Sequence, residues 1–93
     1  MQYVGTGRIG PSQNVAYTGT AGVSTAIGAQ TYKVRVAVTT DAFVTTDGTT
    51  PSSTNGAYVP AIPYVEYFTT TPGQQVSAIQ VVAPGTLYVT EIV

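Results

Sequence analysis

The sequence predicts an all-β fold, an antiparallel sandwich or small barrel. Three observations predict it. Apolar and polar residues alternate at period 2 in several short runs. Turn signals separate those runs at about 8–12-residue spacing. No window supports a helix of useful length, because Thr, Val, Gly and Pro, all poor helix formers, are spread along the whole chain.

Residues 1–30 are rich in Gly, Thr, Ser and Ala. Val15, Tyr17, Val23 and Ile27 give weak apolar alternation, and Gly5, Gly7, Gly10, Gly19, Gly22 and Gly28 punctuate it. This zone reads as an extended arm with one or two short strands, its backbone pairing with something outside the core. Residues 31–93 read as the β-sandwich core. Thr31 to Val38 is the first strong strand: Tyr32, Val34, Val36 and Val38 alternate with Lys33, Arg35 and Ala37. Two cations on one face suggest that this face is partly open or meets a carboxylate such as Glu66. Ala42 to Thr46 continues the pattern after a turn at Thr40–Asp41, and Asp47-Gly48 closes it, since both residue types tolerate φ > 0.

The stretch Thr49 to Gly56 has the composition of a surface loop, with Asn55-Gly56 as a second turn. Ala57 to Val59 is a short strand stopped by Pro60, and Pro63 marks an edge or bend. Tyr64 to Thr69 is a strand with Tyr64, Glu66 and Phe68 on one face and Val65, Tyr67 and Thr69 on the other. Pro72-Gly73 reads as the centre of a type II turn in which Gly supplies the positive φ, and Pro84-Gly85 reads the same way. Gln75 to Val82 and Thr86 to Val93 are the last two strands. Both carry apolar residues on both faces, and a strand apolar on both faces is covered on both. In a domain this small the second cover is another subunit.

Charge sharpens that reading. Arg8, Lys33, Arg35, Asp41, Asp47, Glu66 and Glu91 are the only charged residues, 8% of the 93-residue chain, against about a quarter in an ordinary soluble domain. A chain of this length buries roughly 60–65% of its unfolded surface, a thin margin that small domains often supplement. With neither Cys nor His, disulfides are excluded and structural zinc is disfavoured, which leaves oligomerisation. A net charge of −1 gives no long-range attraction to nucleic acid or anionic lipid. No apolar run approaches the ~20 residues of a membrane-spanning helix. The chain starts at Met1 with no basic or apolar leader, which reads as an unprocessed intracellular product.

Motifs for chemistry are weak. Gly5-Thr6-Gly7-Arg8-Ile9-Gly10 matches G-x-G-x-x-G, but a dinucleotide site needs a strand before it, a helix after it and an acid about 20 residues on. Only four residues precede it, and Gln30 and Thr31 stand where the acid belongs. Asp41 and Asp47 could in principle share a Ca²⁺. Six residues of extended chain hold them roughly 20 Å apart, so each is read as capping its own turn. A nucleophilic Ser or Thr would lack a His base. Glu66 and Glu91 sit in no frame recognisable as a glycosidase pair. The sequence therefore predicts neither an enzyme nor a cofactor. The aromatic set of seven Tyr and two Phe suits protein interfaces, where Tyr offers an apolar body and a polar tip, better than a sugar-stacking platform.

The ordered segments Tyr32-Lys33-Val34-Arg35-Val36, Ala42-Phe43-Val44, Tyr58-Val59-Pro60, Val65-Glu66-Tyr67-Phe68, Pro72-Gly73-Gln74-Gln75-Val76-Ser77-Ala78-Ile79 and Gly85-Thr86-Leu87-Tyr88-Val89-Thr90-Glu91 resemble a group of small structural proteins of tailed bacteriophages. The resemblance spans residues 31–93, and the Thr49–Asn55 loop departs from the pattern. It implies a jelly-roll-like sandwich, a virion location on the capsid surface after synthesis in the host bacterial cytoplasm, and a cement or decoration role. The implied partners are further copies of the chain, as a homotrimer, and the major capsid protein, without nucleic acid or membrane. On that basis Tyr64, Tyr67, Phe68, Leu87, Tyr88, Val89 and Ile92 are expected at the subunit interface. Tyr3, Val4, Arg8 and Ile9 are expected to contact the capsid. The alternatives are a head–tail connector or tail component, and a carbohydrate-binding module on the phage surface.

Overall fold

The structure, a computed structural model, describes residues 9–92. Its elements are β1 (Ile9–Tyr17), β2 (Gly22–Val23), β3 (Lys33–Val38), β4 (Ala42–Thr45), β5 (Ala57–Val59), β6 (Glu66–Thr69), β7 (Ser77–Gln80) and β8 (Gly85–Ile92). They form two antiparallel four-stranded sheets: sheet A in the order β1-β8-β3-β6, and sheet B in the order β2-β7-β4-β5. The all-β antiparallel sandwich is thus as the alternation requires. Its pairing is nested, with the two halves of the chain meeting in reverse order: β1 with β8, β2 with β7, β3 with β6 and β4 with β5.

Register decides which side chains face the core. Val34, Val36 and Val38 of β3 stand opposite Glu91, Val89 and Leu87 of β8. Cross-strand partners share a sheet face, so these six all point toward sheet B. Sheet B answers with Ala42, Val44, Val59 and Ala78, and Tyr17, Ile27 and Val76 complete the buried cluster. Leu87 and Val89 are 0% exposed within one chain, which removes both from the expected subunit interface. Period 2 gave β8 two apolar faces, and the face bearing these residues is the one the sandwich itself covers.

The N-terminal zone also departs from expectation. Residues 9–17 are an edge strand of the core sheet, with Val15 opposite Leu87 and Tyr17 opposite Gly85. Residues 22–27 continue along β7, through Ser24 N donating to Val76 O at 2.8 Å and Ile27 N to Gln74 O at 2.9 Å. The described part of the predicted arm therefore belongs to the sandwich, its backbone pairing with β8 and β7 of the same chain. Tyr3, Val4 and Arg8 lie outside the described residues.

Turn chemistry holds in part. Gly48, Gly56 and Gly73 have positive φ, whereas Gly85 does not. Gly85 instead opens β8 where space is scarce: a Cβ there would stand 2.4 Å from Thr40 Oγ1 and 2.7 Å from the Tyr17 hydroxyl. Lys33 and Arg35 pair with Thr69 and Tyr67 of β6, while Glu66 stands opposite Val36. The two cations and Glu66 are thus on opposite faces of sheet A, and the predicted charge pairing does not form.

Candidate assembly surfaces

Sheet B has small residues inside and large ones outside. Ala42 and Val44 face the core, so the alternate β4 residue Phe43 faces outward, flanked by Tyr58 on β5 and Ile79 on β7. The Phe43 and Tyr58 rings meet edge-to-face at 5.7 Å between centroids and an interplanar angle of 79°, a geometry that favours aromatic pairs beyond their buried area. Val23, half exposed, stands on edge strand β2 opposite Ser77, two residues from Ile79. Four apolar side chains thus run across four neighbouring strands on the outward face.

The outer face of sheet A is chemically different. It carries Lys33 and Arg35, with Tyr67 and Thr90 on either side of Arg35, and Thr69 and Ile92 on either side of Lys33. Tyr88 stands next to Ala37 on the same face. Of the residues expected at a subunit contact, this face gathers Tyr67, Tyr88 and Ile92. Phe68 points inward and is partly buried against the core, and Tyr64 lies in the β5–β6 connection, 65% exposed. Ile9, the one described member of the expected capsid-contact set, is 79% exposed at the start of β1.

One end of the sandwich is tied by side chains. The hydroxyl of buried Tyr17, at the end of β1, donates to Thr40 O at 2.6 Å, and Thr40 Oγ1 donates to Ala83 O at 2.9 Å. Asp41 accepts from the Tyr58 hydroxyl and, at 2.8 Å, from Ala61 N. Those two bonds, that from Tyr58 first, hold the Asp41 carboxyl below its usual value of 3.8, and the same contact raises Tyr58 above 10.0. Thr39, Thr40, Asp41, Ala61, Val82 and Ala83 line a shallow cleft of about 290 Å³ there, beside the exposed Ile62, Tyr64 and Val82. Asp47, at the other end of β4, accepts from Thr49 N at 3.1 Å and Thr49 Oγ1 at 2.6 Å, so each Asp serves its own loop. Among the described residues no three His, Cys, Asp or Glu gather as a metal-ligating group. After Gly10 the chain runs on as strand β1, where a dinucleotide fingerprint requires a helix.

The two long sides of the sandwich also differ. Along β1 and β2 the sheets close tightly: a Cβ on Gly22 would stand 2.2 Å from Ala16 O, and the Gln13 side chain accepts from Thr25 N at 3.0 Å. Along β5 and β6 they part around a cleft of about 240 Å³, whose lining includes Val44, Asp47, Ala57 and Phe68. Glu66 lies on the same inward row as Phe68 yet is exposed.

Sequence reasoning missed the outward row on sheet B and the role of Glu91. The signal for Glu91 was present: it falls two residues beyond Val89 and four beyond Leu87, on the face they share. No family model matches the chain, and no significant match is found among curated proteins or solved structures.

Proposed function

We propose that the protein is a non-enzymatic structural protein of a bacteriophage particle, a cement or decoration protein that associates with itself, as a trimer, and with the major capsid protein. The observation that carries this reading is the apolar row Val23, Ile79, Phe43 and Tyr58 on the outer face of sheet B in a chain with 8% charged residues. Val23 and Tyr58 are exposed and Phe43 and Ile79 half-buried, and covering what remains of their surface favours association at roughly 25 cal/mol per Å² of apolar area removed. Repetition over many copies adds to the total by multivalency. The nested strand pairing supports the same reading, because a jelly roll, a fold that virus capsid domains use, would pair its strands in such an order.

The test is quantitative mass spectrometry of purified particles. A ratio to the major capsid protein between about one to one and one to three is the decoration outcome, one subunit or one trimer per local symmetry axis. A ratio tens of times lower assigns the protein to a connector or tail, and absence from particles refutes a virion role. In the same particles Phe43→Ser with Ile79→Ser should abolish incorporation while leaving the monomer folded.

A second reading rests on the Asp41 end. Tyr58 and Tyr64, both exposed, flank Ala61 beside a cleft with a carboxylate on its wall, and aromatic rings with a nearby acceptor suit a sugar ring. Glycan-array binding by the monomer, lost in Tyr58→Ala, would favour it.

A further inference from the structure

We propose that the outer face of sheet A binds an acidic polysaccharide, with Arg35 and Lys33 meeting its carboxylates and Tyr67 and Tyr88 carrying its ring faces. The site goes beyond the assembly role argued above, which uses the opposite face of the sandwich.

Register builds the site. Val34 and Val36 of β3 are fully buried, so Lys33 and Arg35, which alternate with them, point outward. Tyr67 of β6 stands directly opposite Arg35 on one side, and Thr90 of β8 on the other. Tyr88 stands opposite Ala37, two residues along β3. It is therefore a diagonal neighbour of Arg35, about 7–8 Å away and within reach of a long side chain. The two tyrosines stand two strands and two residues apart, about 12 Å between Cα atoms, and are 49% and 40% exposed. A sugar-stacking platform needs two rings on one open face. The pairing of β3 with both β6 and β8 brings together what no single strand shows.

The acids lie elsewhere. Asp41 and Asp47 each accept from the backbone of their own loops at the two ends of β4. Glu66 and Glu91 stand opposite Val36 and Val34 on the inward rows of β6 and β8. Among the described residues, no carboxylate therefore shares the outer face with Lys33 and Arg35. A guanidinium so placed matches an incoming carboxylate with two parallel hydrogen bonds. Beside it, the Ser12 and Thr90 hydroxyls bond to each other at 3.1 Å, and both keep capacity to bond sugar hydroxyls.

The same features select the class of ligand. A peptide docks along a free strand edge or in a groove, whereas Arg35 and Thr90 stand on β3 and β8, the two inner strands of the sheet. A single-stranded nucleic acid carries a phosphate at every nucleotide. Two cations give its binding a salt slope of only about −1.4, weak attraction for a chain of net charge −1. A uronic-acid polymer instead places its carboxylates among flat rings whose apolar faces suit tyrosine. The Asp41 end would repel such a polymer, so this site is separate from Tyr58 and Tyr64.

Affinity electrophoresis of the full-length chain tests the proposal, in gels containing hyaluronan, with one carboxylate per two rings, or alginate, with one per ring. Uncharged dextran, oligothymidine and polyglutamate serve as comparison polymers. At least one acidic polysaccharide should retard the chain, and dextran should not. Arg35→Gln with Lys33→Gln should weaken that binding about tenfold or more, and Tyr67→Ser or Tyr88→Ser about fivefold or more. Tyr58→Ala should leave it unchanged. Circular dichroism establishes that each variant is folded, and Arg35→Gln alone removes a charge with the least change in packing. No retardation by either acidic polysaccharide, equal retardation by dextran, tighter retention by oligothymidine or polyglutamate, or unaltered binding in the charge variants would overturn the proposal. Copy number in particles is measured separately, so this proposal and the virion reading can each fail without the other.

Discussion

Glu91 is 6% exposed on the inner face of β8, and removing its carboxylate should cost more stability than any surface change. One oxygen, Oε1, accepts both from Gly28 N at 3.1 Å and from Thr31 Oγ1 at 2.5 Å. Those two donors lie within the connection between β2 and β3, so a single acceptor pins the path by which the chain crosses from sheet B to sheet A. Hydrogen bonds to a charged group contribute about 1.5–3 kcal/mol each, and a donor left buried without a partner adds to the loss. Glu91→Ala should therefore cost about 3–4 kcal/mol, a large part of the roughly 5–14 kcal/mol available to a chain of this length. At about 4–8 °C per kcal/mol, melting should fall by on the order of 15 °C. Glu91→Gln keeps an oxygen where Oε1 stands, and burying an amide costs less than burying a carboxylate. It should remain within about 1 kcal/mol of the parent. Urea denaturation followed by circular dichroism measures both. If Gln is as costly as Ala, the shared acceptor oxygen is not what holds the connection. If Ala costs under about 1 kcal/mol, the anchoring argument itself is refuted.

Other outcomes follow from the same geometry. Tyr17→Phe, which deletes the bond to Thr40 at the closed end, should lose about 1–2 kcal/mol in the same denaturation assay. Leu87→Ala should lose about 3–5 kcal/mol by opening a core cavity while leaving the association constant of the folded protein unchanged, the reverse of what an interface residue would do. Gly22→Ala places a Cβ against backbone that cannot rotate away and should cost about 1–3 kcal/mol, read as a shift in the urea midpoint. Asp41 has a folded pKa depressed below 3.8. Its contribution is therefore present above the unfolded value and lost as pH falls through the folded one. Melting temperature followed from pH 6 downward should show a decline below about pH 4 that is shallower in Asp41→Asn.

Much of the sandwich was legible because local and nonlocal signals agree in β3 through β8. Val34, Val36 and Val38 alternate with polar neighbours, and Gly48 and Gly73 adopt the positive φ that their turns demand. Strand β1 was not legible, because it contributes one fully buried side chain, Tyr17, in nine residues. What holds it is backbone pairing to β8, a contact with no signature in composition. Gly22 read as punctuation and Gly85 as a turn centre, yet both sit where two backbones or a crowded hydroxyl cluster leave no room for a Cβ. The outward row on sheet B was not legible, because the apolar residues of β4 and β7 fall on both faces and alternation alone does not say which row faces the core. Phe43 and Ile79 are larger than Ala42, Val44 and Ala78, and size alone would place them inside. The gap between sheets about 10 Å apart is already occupied by Tyr17, Leu87 and a layer of valines, so the larger residues of β4 and β7 face outward.

That inversion relocates the second cover that strands apolar on both faces require. The outer face of β8 presents Tyr88 and Ile92 alternating with Thr86 and Thr90, beside Lys33 and Arg35, and water can solvate such a mixture. The outer face of sheet B presents Val23, Ile79, Phe43 and Tyr58, with one carboxylate, Asp41, at its end and bonded to the Tyr58 hydroxyl. If the protein decorates a lattice as proposed, sheet B is the face that turns toward it and sheet A the face left to solvent. The two orientations separate cleanly in a particle-binding assay. Phe43→Ser with Ile79→Ser should abolish binding, whereas Arg35→Ser with Tyr67→Ser should leave it within about threefold, as expected where exposed contacts contribute little. The opposite pattern would place sheet A against the lattice and would mean that the apolar row on sheet B is covered by neighbouring copies instead.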